Sequence, residues 1–219
     1  YAIFACMKEQ DIKKYFDQMA PDRDKWKKKS RYYYNHLEGF VSFLVPENKR
    51  VVEIGCGTGD LLFKLKPSYG LGIDISEKMI ELARQKNSNT KIEFKAGTID
   101  DIEGLFDYII LSDLIGYLPD IEEFFRKLSR IMHPQSKLII TQYSQLWEPL
   151  LNLASNAGLR MPSALIQNWI SLEDINNFLR LTGLETVKSG KKLLFPKNIP
   201  FVSKIINNYL INLWPLNKL

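Results

Sequence analysis

The sequence predicts an α/β chain built on a doubly wound, mostly parallel sheet, preceded by helices and followed by a helical extension. Three observations predict it. From residue 51 onward, short apolar runs alternate with segments of helical periodicity. The first run feeds a glycine-rich turn, Gly55-Cys56-Gly57-Thr58-Gly59, and the second ends on a carboxylate, Asp74. Strand–helix alternation of this kind places helices on both faces of a parallel sheet.

The elements follow in order. Ile12, Tyr15, Phe16 and Met19 stand at i, i+3, i+4 and i+7, which predicts an amphipathic helix that Pro21 and Asp22 break. A second helix is expected from Asp24 to Leu44, closed by Pro46. Val51–Ile54 reads as the first strand, with a helix through Leu61, Leu62 and Leu65. Gly70–Asp74 is the second strand, and Ser76 caps a helix carrying Met79, Ile80 and Ala83. Lys91–Lys95 is the third and Phe106–Leu111 the fourth, apolar enough to be buried on both faces. Asp120 opens a helix with Ile121, Phe124, Phe125, Leu128 and Ile131 on one side, and Lys137–Tyr143 is the fifth strand. Ser171 and Asp174 form a capping-box pattern for a helix that Gly183 ends. Leu184–Lys188 and Lys192–Phe195 read as strands about Ser189-Gly190, and an amphipathic helix follows from Pro200 to Trp214.

The chain has 219 residues, 45% of them hydrophobic and 25% charged, which suits a single folded domain and not a disordered one. Residues 1–50 are expected to form an N-terminal lid, 51–145 the core, and 146–219 a substrate-side and C-terminal segment. Met7-Lys8-Glu9 has the form of a start, so residues 1–6 are expected to be upstream sequence. No apolar run is long enough to cross a membrane as a helix. Cys6 and Cys56 are placed unfavourably for a disulfide, and two cysteines with His36 and His133 give no zinc spacing, so no metal is expected and a cytoplasmic setting is. The net charge of +5 is uneven: residues 1–50 are net +4, 51–145 net −3, and 146–219 net +4. Only Lys25–Lys29 approaches a basic stripe, so no specific nucleic-acid partner is expected.

The glycine turn carries the chemistry. Residues without Cβ let a ligand approach the backbone, and the helix that follows offers unpaired N–H groups. Asp74, nineteen residues after Gly55, can accept both hydroxyls of a ribose. The spacing is G-x-G-x-G and not the dinucleotide G-x-G-x-x-G, which disfavours a nicotinamide oxidoreductase. Together with Glu53-Ile54 before it, this stretch resembles motif I of class I S-adenosylmethionine-dependent methyltransferases. Gly72–Ser76 with Met79 resembles motif II, Phe106–Asp113 the fourth strand and motif IV, and Leu118-Pro119-Asp120 the segment before strand five. The resemblance covers residues 51–145 and implies the Rossmann-like class I methyltransferase fold, S-adenosyl-L-methionine as cofactor and methyl transfer as activity.

The resemblance also implies roles. Glu53 would face the amino end of the cofactor, and Gly55, Cys56, Gly57 and Gly59 would bring backbone to its methionine and ribose. Asp74 would hold the ribose hydroxyls, with Ile75 and Met79 beside the adenine. After strand three the family commonly has Gly-Asp on the adenine amino group; this chain has Gly97-Thr98, then Ile99. Ser112 and Asp113 would face cofactor and acceptor. Asp113, Tyr117 and His36 are the candidate bases for an acceptor hydroxyl, and Tyr15, Trp26, Tyr33 and Tyr34 the candidate lid aromatics. The Ser-Asp-Leu-Ile after strand four departs from the Asn/Asp-Pro-Pro-Tyr of enzymes that methylate nucleic-acid bases.

Tyr143–Pro149 and Gln167–Ser171 resemble bacterial methyltransferases that accompany glycosyltransferases. That implies a small-molecule, glycan or lipid-linked acceptor, methylated at oxygen. The alternative is a non-catalytic cofactor-binding partner of a glycosyltransferase. Class I methyltransferases usually close their sheet with an antiparallel strand, which is expected here beyond residue 219. The stripe on residues 200–214 and the basic C-terminal third then make a membrane surface or another chain the expected partner.

Overall fold

The structure is a computed structural model that describes residues 8–143 and 170–190. The segment 192–195, the helix expected at 200–214, Cys6, Trp147 and Trp169 lie outside the described residues.

Three helices precede the sheet: α1 (Glu9–Met19), α2 (Arg23–Lys29) and α3 (Arg31–Leu44), with a 3-10 turn at Ala20–Asp22. The single helix expected from Asp24 to Leu44 is two. Ser30 leaves helical geometry at φ −107° and ψ 25°. The break lets Lys27 on α2 reach Asp60 at 2.5 Å while α3 turns Val41 fully into the core.

Five parallel strands follow: β1 (Arg50–Ile54), β2 (Tyr69–Asp74), β3 (Ile92–Ala96), β4 (Phe106–Ser112) and β5 (Met132–Thr141). Their order is β3-β2-β1-β4-β5, so the winding reverses between β1 and β4. Helices α4 (Asp60–Leu65), α5 (Glu77–Lys86), α6 (Ile121–Leu128) and α7 (Leu172–Leu181), with 3-10 turns at Ile99–Asp101, Ile115–Tyr117 and Ser129–Ile131, complete the described elements. Ligand crevices in such sheets open at the carboxyl ends of the strands where the winding reverses.

The period-two alternation of the strands divides the core in two. Val52, Ile109 and Leu111 pack with Phe125 and Leu128 of α6 and Ile175 and Leu179 of α7. Val51, Tyr108 and Ile110 face the other way, onto Val41 and Val45 at the end of α3, Leu62 of α4 and Ile80 of α5. The fourth strand is therefore apolar on both faces because both faces are covered.

The first four strands match their expected bounds to within a residue, and the fifth does not. β5 begins at Met132, five residues before Lys137. Met132 pairs with Phe106 and Lys137 with Tyr108, so the intervening residues form a bulge. Ser136 Oγ donates to the Phe106 carbonyl at 2.6 Å and accepts the His133 N–H at 2.8 Å, holding Pro134 where no ladder bond is needed. His133 thus sits in this bulge, its Nε2 3.2 Å from Asp107 Oδ1.

Leu184–Lys188 is not a strand. Gly183, at φ +76°, donates to the Arg180 carbonyl, and Leu184 donates to the Leu179 carbonyl at 2.8 Å. That is a Schellman closure of α7, which draws Leu184 back against the helix and leaves Val187 almost fully exposed. The capping bonds expected at Ser76, Asp120 and Ser171 are all present.

Gly72 shows why a glycine stands inside β2. A Cβ there would lie 2.5 Å from the Phe94 ring and 3.0 Å from Cys56 Sγ. Gly72→Ala is therefore expected to lower stability by roughly 1–3 kcal/mol, the usual range for overpacking. Urea midpoints check this, and Phe94→Leu should recover part of the loss by making room.

Candidate active site

A cavity of about 320 Å³ opens at the carboxyl ends of β1, β2 and β4, under α1–α3. Its floor is the turn after β1. Gly55, Gly57 and Gly59 all have positive φ, at 74°, 54° and 78°. A Cβ on Gly57 would meet no atom within 4 Å, so the glycine keeps the floor low toward open space. Gly59 differs: it does not line the cavity, and its Cβ would lie 2.5 Å from the Phe94 ring. Its backbone starts α4, so that glycine serves packing.

Asp74 is buried at the end of β2 and ties the floor together. Its Oδ2 accepts the Gly57 N–H at 2.8 Å and its Oδ1 accepts the Ser76 N–H at 2.9 Å. Burial pushes its carboxyl up, against these two backbone bonds. A carboxylate offers about four lone-pair sites. Two are used here, which leaves acceptor capacity for vicinal hydroxyls.

Glu53, one residue before the end of β1, is 3% exposed and lines the cavity. Its Oε2 has no hydrogen-bond partner among the described residues. Burial raises its carboxyl to about 8; the neighbouring carboxylates Asp60, Asp74 and Glu38 add to the rise and Lys27 opposes it. Cys56 is a buried free thiol whose pKa burial also pushes well up, so it is a small turn residue and not a nucleophile.

Ile75, Met79, Gly97, Thr98, Ile99, Ser112, Asp113 and Tyr117 all line the same cavity. Thr98 takes the place of the family's aspartate, and its hydroxyl caps the following 3-10 turn by accepting the Asp100 N–H at 3.3 Å. Asp100 also lines the cavity, paired with Lys127 at 2.5 Å and Arg130 at 3.2 Å.

Asp113 holds a left-handed backbone, φ +53°, directly after β4. A non-glycine residue so placed costs energy that the surrounding structure must support. Its N–H bonds the Thr141 carbonyl at 2.9 Å, and its Oδ2 accepts the Tyr33 hydroxyl at 2.7 Å. Burial, followed by Asp113, holds the Tyr33 pKa well above its ordinary value, so the phenol keeps its proton and donates. Tyr33 also stacks on Tyr143, with ring centroids 5.0 Å apart.

Of the expected lid aromatics, Tyr15, Trp26 and Tyr34 line the cavity, and Phe16 joins them with its ring 5.2 Å from Tyr117. His36 is the one candidate base the structure does not bring in. It lies on the exposed side of α3, its Nδ1 3.0 Å from the Tyr32 carbonyl, because Tyr33, Leu37 and Glu38 take the inward positions of that helix. Sequence reasoning missed Arg23 and Lys27, both in the cavity wall. Arg23, Trp26, Lys27 and Ser30 stand at i, i+3, i+4 and i+7, a spacing that was available as a signal. Burial works to raise the Asp60 carboxyl, but Lys27 and Lys86 outweigh it and hold Asp60 below its ordinary value.

The fit to the expected cofactor rests on three features of one cavity: a floor without Cβ, Asp74 with acceptor capacity to spare, and a buried Glu53 oxygen lacking a partner. They suit a ligand that carries vicinal hydroxyls and a cationic group. A Methyltransferase domain family model matches residues 46–183, so the chain belongs to that family and carries a class I S-adenosylmethionine-dependent methyltransferase domain. The demethylmenaquinone methyltransferase of Lactobacillus johnsonii is 25% identical over 169 residues, 66% of each chain. The ribosomal protein L11 methyltransferase of Thermotoga neapolitana is 33% identical over 109 residues, 47% of this chain and 40% of that one. The chain spans from 40% to 66% of the length of the curated relatives it first matches. Two solved structures share the fold. An S-adenosylmethionine-dependent methyltransferase of Thermotoga maritima has a TM-score of 0.69 at 23% identity, over 84% of this chain and 87% of that one. The magnesium protoporphyrin IX methyltransferase of Synechocystis, solved with S-adenosylhomocysteine, has a TM-score of 0.67 at 20% identity, over 84% and 92%.

Glu53 sets a pH dependence for the ligand-free protein. Its folded pKa of about 8 lies above the ordinary 4.5, so the folded state holds a proton that the unfolded state gives up in that window. Stability from this group is present below pH 4.5 and is lost as pH rises toward 8, at up to about 1.4 kcal/mol per unit. Glu53→Gln is expected to flatten that decline and to be the more stable form at pH 8, as read by urea midpoints at pH 5.5 and 8.

Proposed function

We propose that this protein transfers the methyl group of S-adenosylmethionine to an oxygen of a small-molecule, sugar or lipid-linked acceptor. The observation that carries the reading is the convergence of Asp74, the glycine floor and the partnerless Glu53 oxygen on one cavity whose other wall is Asp113 and the lid aromatics.

The cofactor supplies an electrophilic methyl carbon and a neutral thioether leaving group. The chain's part is then to bind, align and deprotonate. Asp74 holds the ribose hydroxyls, and Glu53 takes the ammonium end. Phe16, Tyr34 and Tyr117 line the same cavity, and their rings would keep water from the reacting atoms. Alignment of this kind is worth roughly 7–11 kcal/mol. Asp113, fixed by Tyr33 and the Thr141 carbonyl, takes the proton of the acceptor hydroxyl as the new carbon–oxygen bond forms and the carbon–sulfur bond breaks. Tyr117 is the second candidate for that proton.

Two substitutions test the assignment. Asp74→Asn should weaken S-adenosylhomocysteine binding by on the order of 10- to 150-fold, the equivalent of a charged hydrogen bond worth about 1.5–3 kcal/mol. Calorimetry reads this, and equal affinity would remove Asp74 from the site. Asp113→Asn should instead lower turnover of labelled cofactor, with an extract of sugars and lipid-linked sugars as acceptors, by roughly 10²–10⁴-fold. Cofactor affinity should change little. Unchanged turnover would rule out Asp113 as the base.

A further inference from the structure

The buried carboxyl of Glu53 has no ion-pair partner among the described residues, although charged groups surround it. Lys27 on α2 is the nearby cation, and it is engaged with Asp60 of α4 at 2.5 Å and with Thr58 Oγ1 at 3.3 Å. Glu38 on α3 is buried as well and is paired outward with Lys64 at 2.5 Å. Asp74 on β2 is bonded by two backbone N–H groups. The Cys56 thiol, on the same turn, is neutral. Asp60, Asp74 and Glu38 thus all oppose a negative charge on Glu53, and Lys27, which favours it, is already shared.

An unpaired buried carboxylate is costly, so such a group is held as the neutral acid until a cation arrives. We infer that Glu53 is protonated in the ligand-free protein and that cofactor binding expels this proton, making Glu53 a proton-gated determinant of specificity for ligands that carry a free ammonium group. The inference rests on the cofactor reading given above. In the exchange the carboxyl O–H breaks, the proton leaves to solvent, and the ligand's ammonium takes its place as the partner of Oε2. The lift of the carboxyl by burial is in keeping with this.

The consequence separates ligands by chemistry. S-adenosylhomocysteine carries the ammonium and should release the proton. Methylthioadenosine has the same ribose and adenine but no amino-acid end, and should bind without release. Below pH 8 the affinity for S-adenosylhomocysteine should rise about tenfold per pH unit, until the ligand's own ammonium begins to lose its proton, whereas methylthioadenosine should show no such slope.

The experiment is titration calorimetry of the whole chain with S-adenosylhomocysteine at pH 7, in two buffers of different ionisation enthalpy. Close to one proton released per ligand is expected, falling toward zero at pH 9. Methylthioadenosine should release none. Glu53→Gln should abolish both the release and the pH slope, and Asp74→Asn should keep the release while binding more weakly. Binding without proton release in the unaltered protein would overturn the inference and leave the cofactor reading standing. Release that persists in a folded Glu53→Gln variant would overturn the assignment to Glu53. No binding of S-adenosylhomocysteine to the folded protein would overturn the cofactor reading itself.

Discussion

One side chain fixes the relation between the glycine turn and the rest of the fold. Asp74 bonds the Gly57 N–H from one oxygen and the Ser76 N–H from the other. The first bond sets the distance between the turn after β1 and the end of β2. The second sets where α5 begins. Ser76 passes the constraint on: its hydroxyl oxygen accepts the Met79 N–H to cap α5, and its O–H donates to Asp17 of α1 at 2.6 Å. Sheet, turn, α5 and α1 are thus joined through one carboxylate and one hydroxyl, both buried. A carboxylate so placed is costly to bury unless it is well bonded, which is why backbone donors surround it.

The charge of the cavity runs opposite to that of the chain. The whole sequence carries +5, yet the described cavity wall holds eight carboxylic residues and three cationic ones. Lys27 and Lys127 among the cations are committed to Asp60 and Asp100. Local potential, and not net charge, governs what a closed site accepts. An acidic, aromatic cavity suits a cationic ligand, and both the sulfonium and the ammonium of the cofactor answer to that description.

The parallel sheet was legible because β1, β2 and β4 are runs buried on both faces, and because the caps at Ser76, Asp120 and Ser171 are local chemistry. The misreadings came where tertiary demands overrode local pattern. Lys27 is needed at Asp60, so the long second helix breaks at Ser30. The fifth strand is expected from Lys137, but a bulge around Pro134 lets β5 start at Met132. Leu184–Lys188 has strand composition, but the Schellman bonds to α7 use its first N–H. The site followed the same rule. Backbone-defined members, Gly55, Gly57 and Asp74, could be placed from spacing. His36 could not, because only the rotation of α3 decides which of its aromatic faces turns inward, and Glu53's isolation appears only once the groups around it are in place.

The helices before the sheet do two different jobs. Val41 at the end of α3, and Val45 just beyond it, are part of the core packed against Leu61, Leu62 and Ile110, so α3 belongs to the fold and cannot lift away without opening it. The earlier helices are held otherwise. α1 buries Ile12 and Tyr15 but is fastened to α5 by Lys13–Glu77 and Asp17–Ser76, and α2 buries none of its residues and is fastened by Lys27–Asp60 and Asp24–Lys86. Partly exposed ion pairs are individually weak and are screened by salt. The buried residues of α1 also stand outside both core clusters, one of which holds α3, and α2 has none to add. These two helices also bring Tyr15, Phe16, Trp26 and Lys27 over the cavity. The roof of the site is thus held mainly by polar contacts, and the helix that holds Tyr33 against Asp113 mainly by core packing.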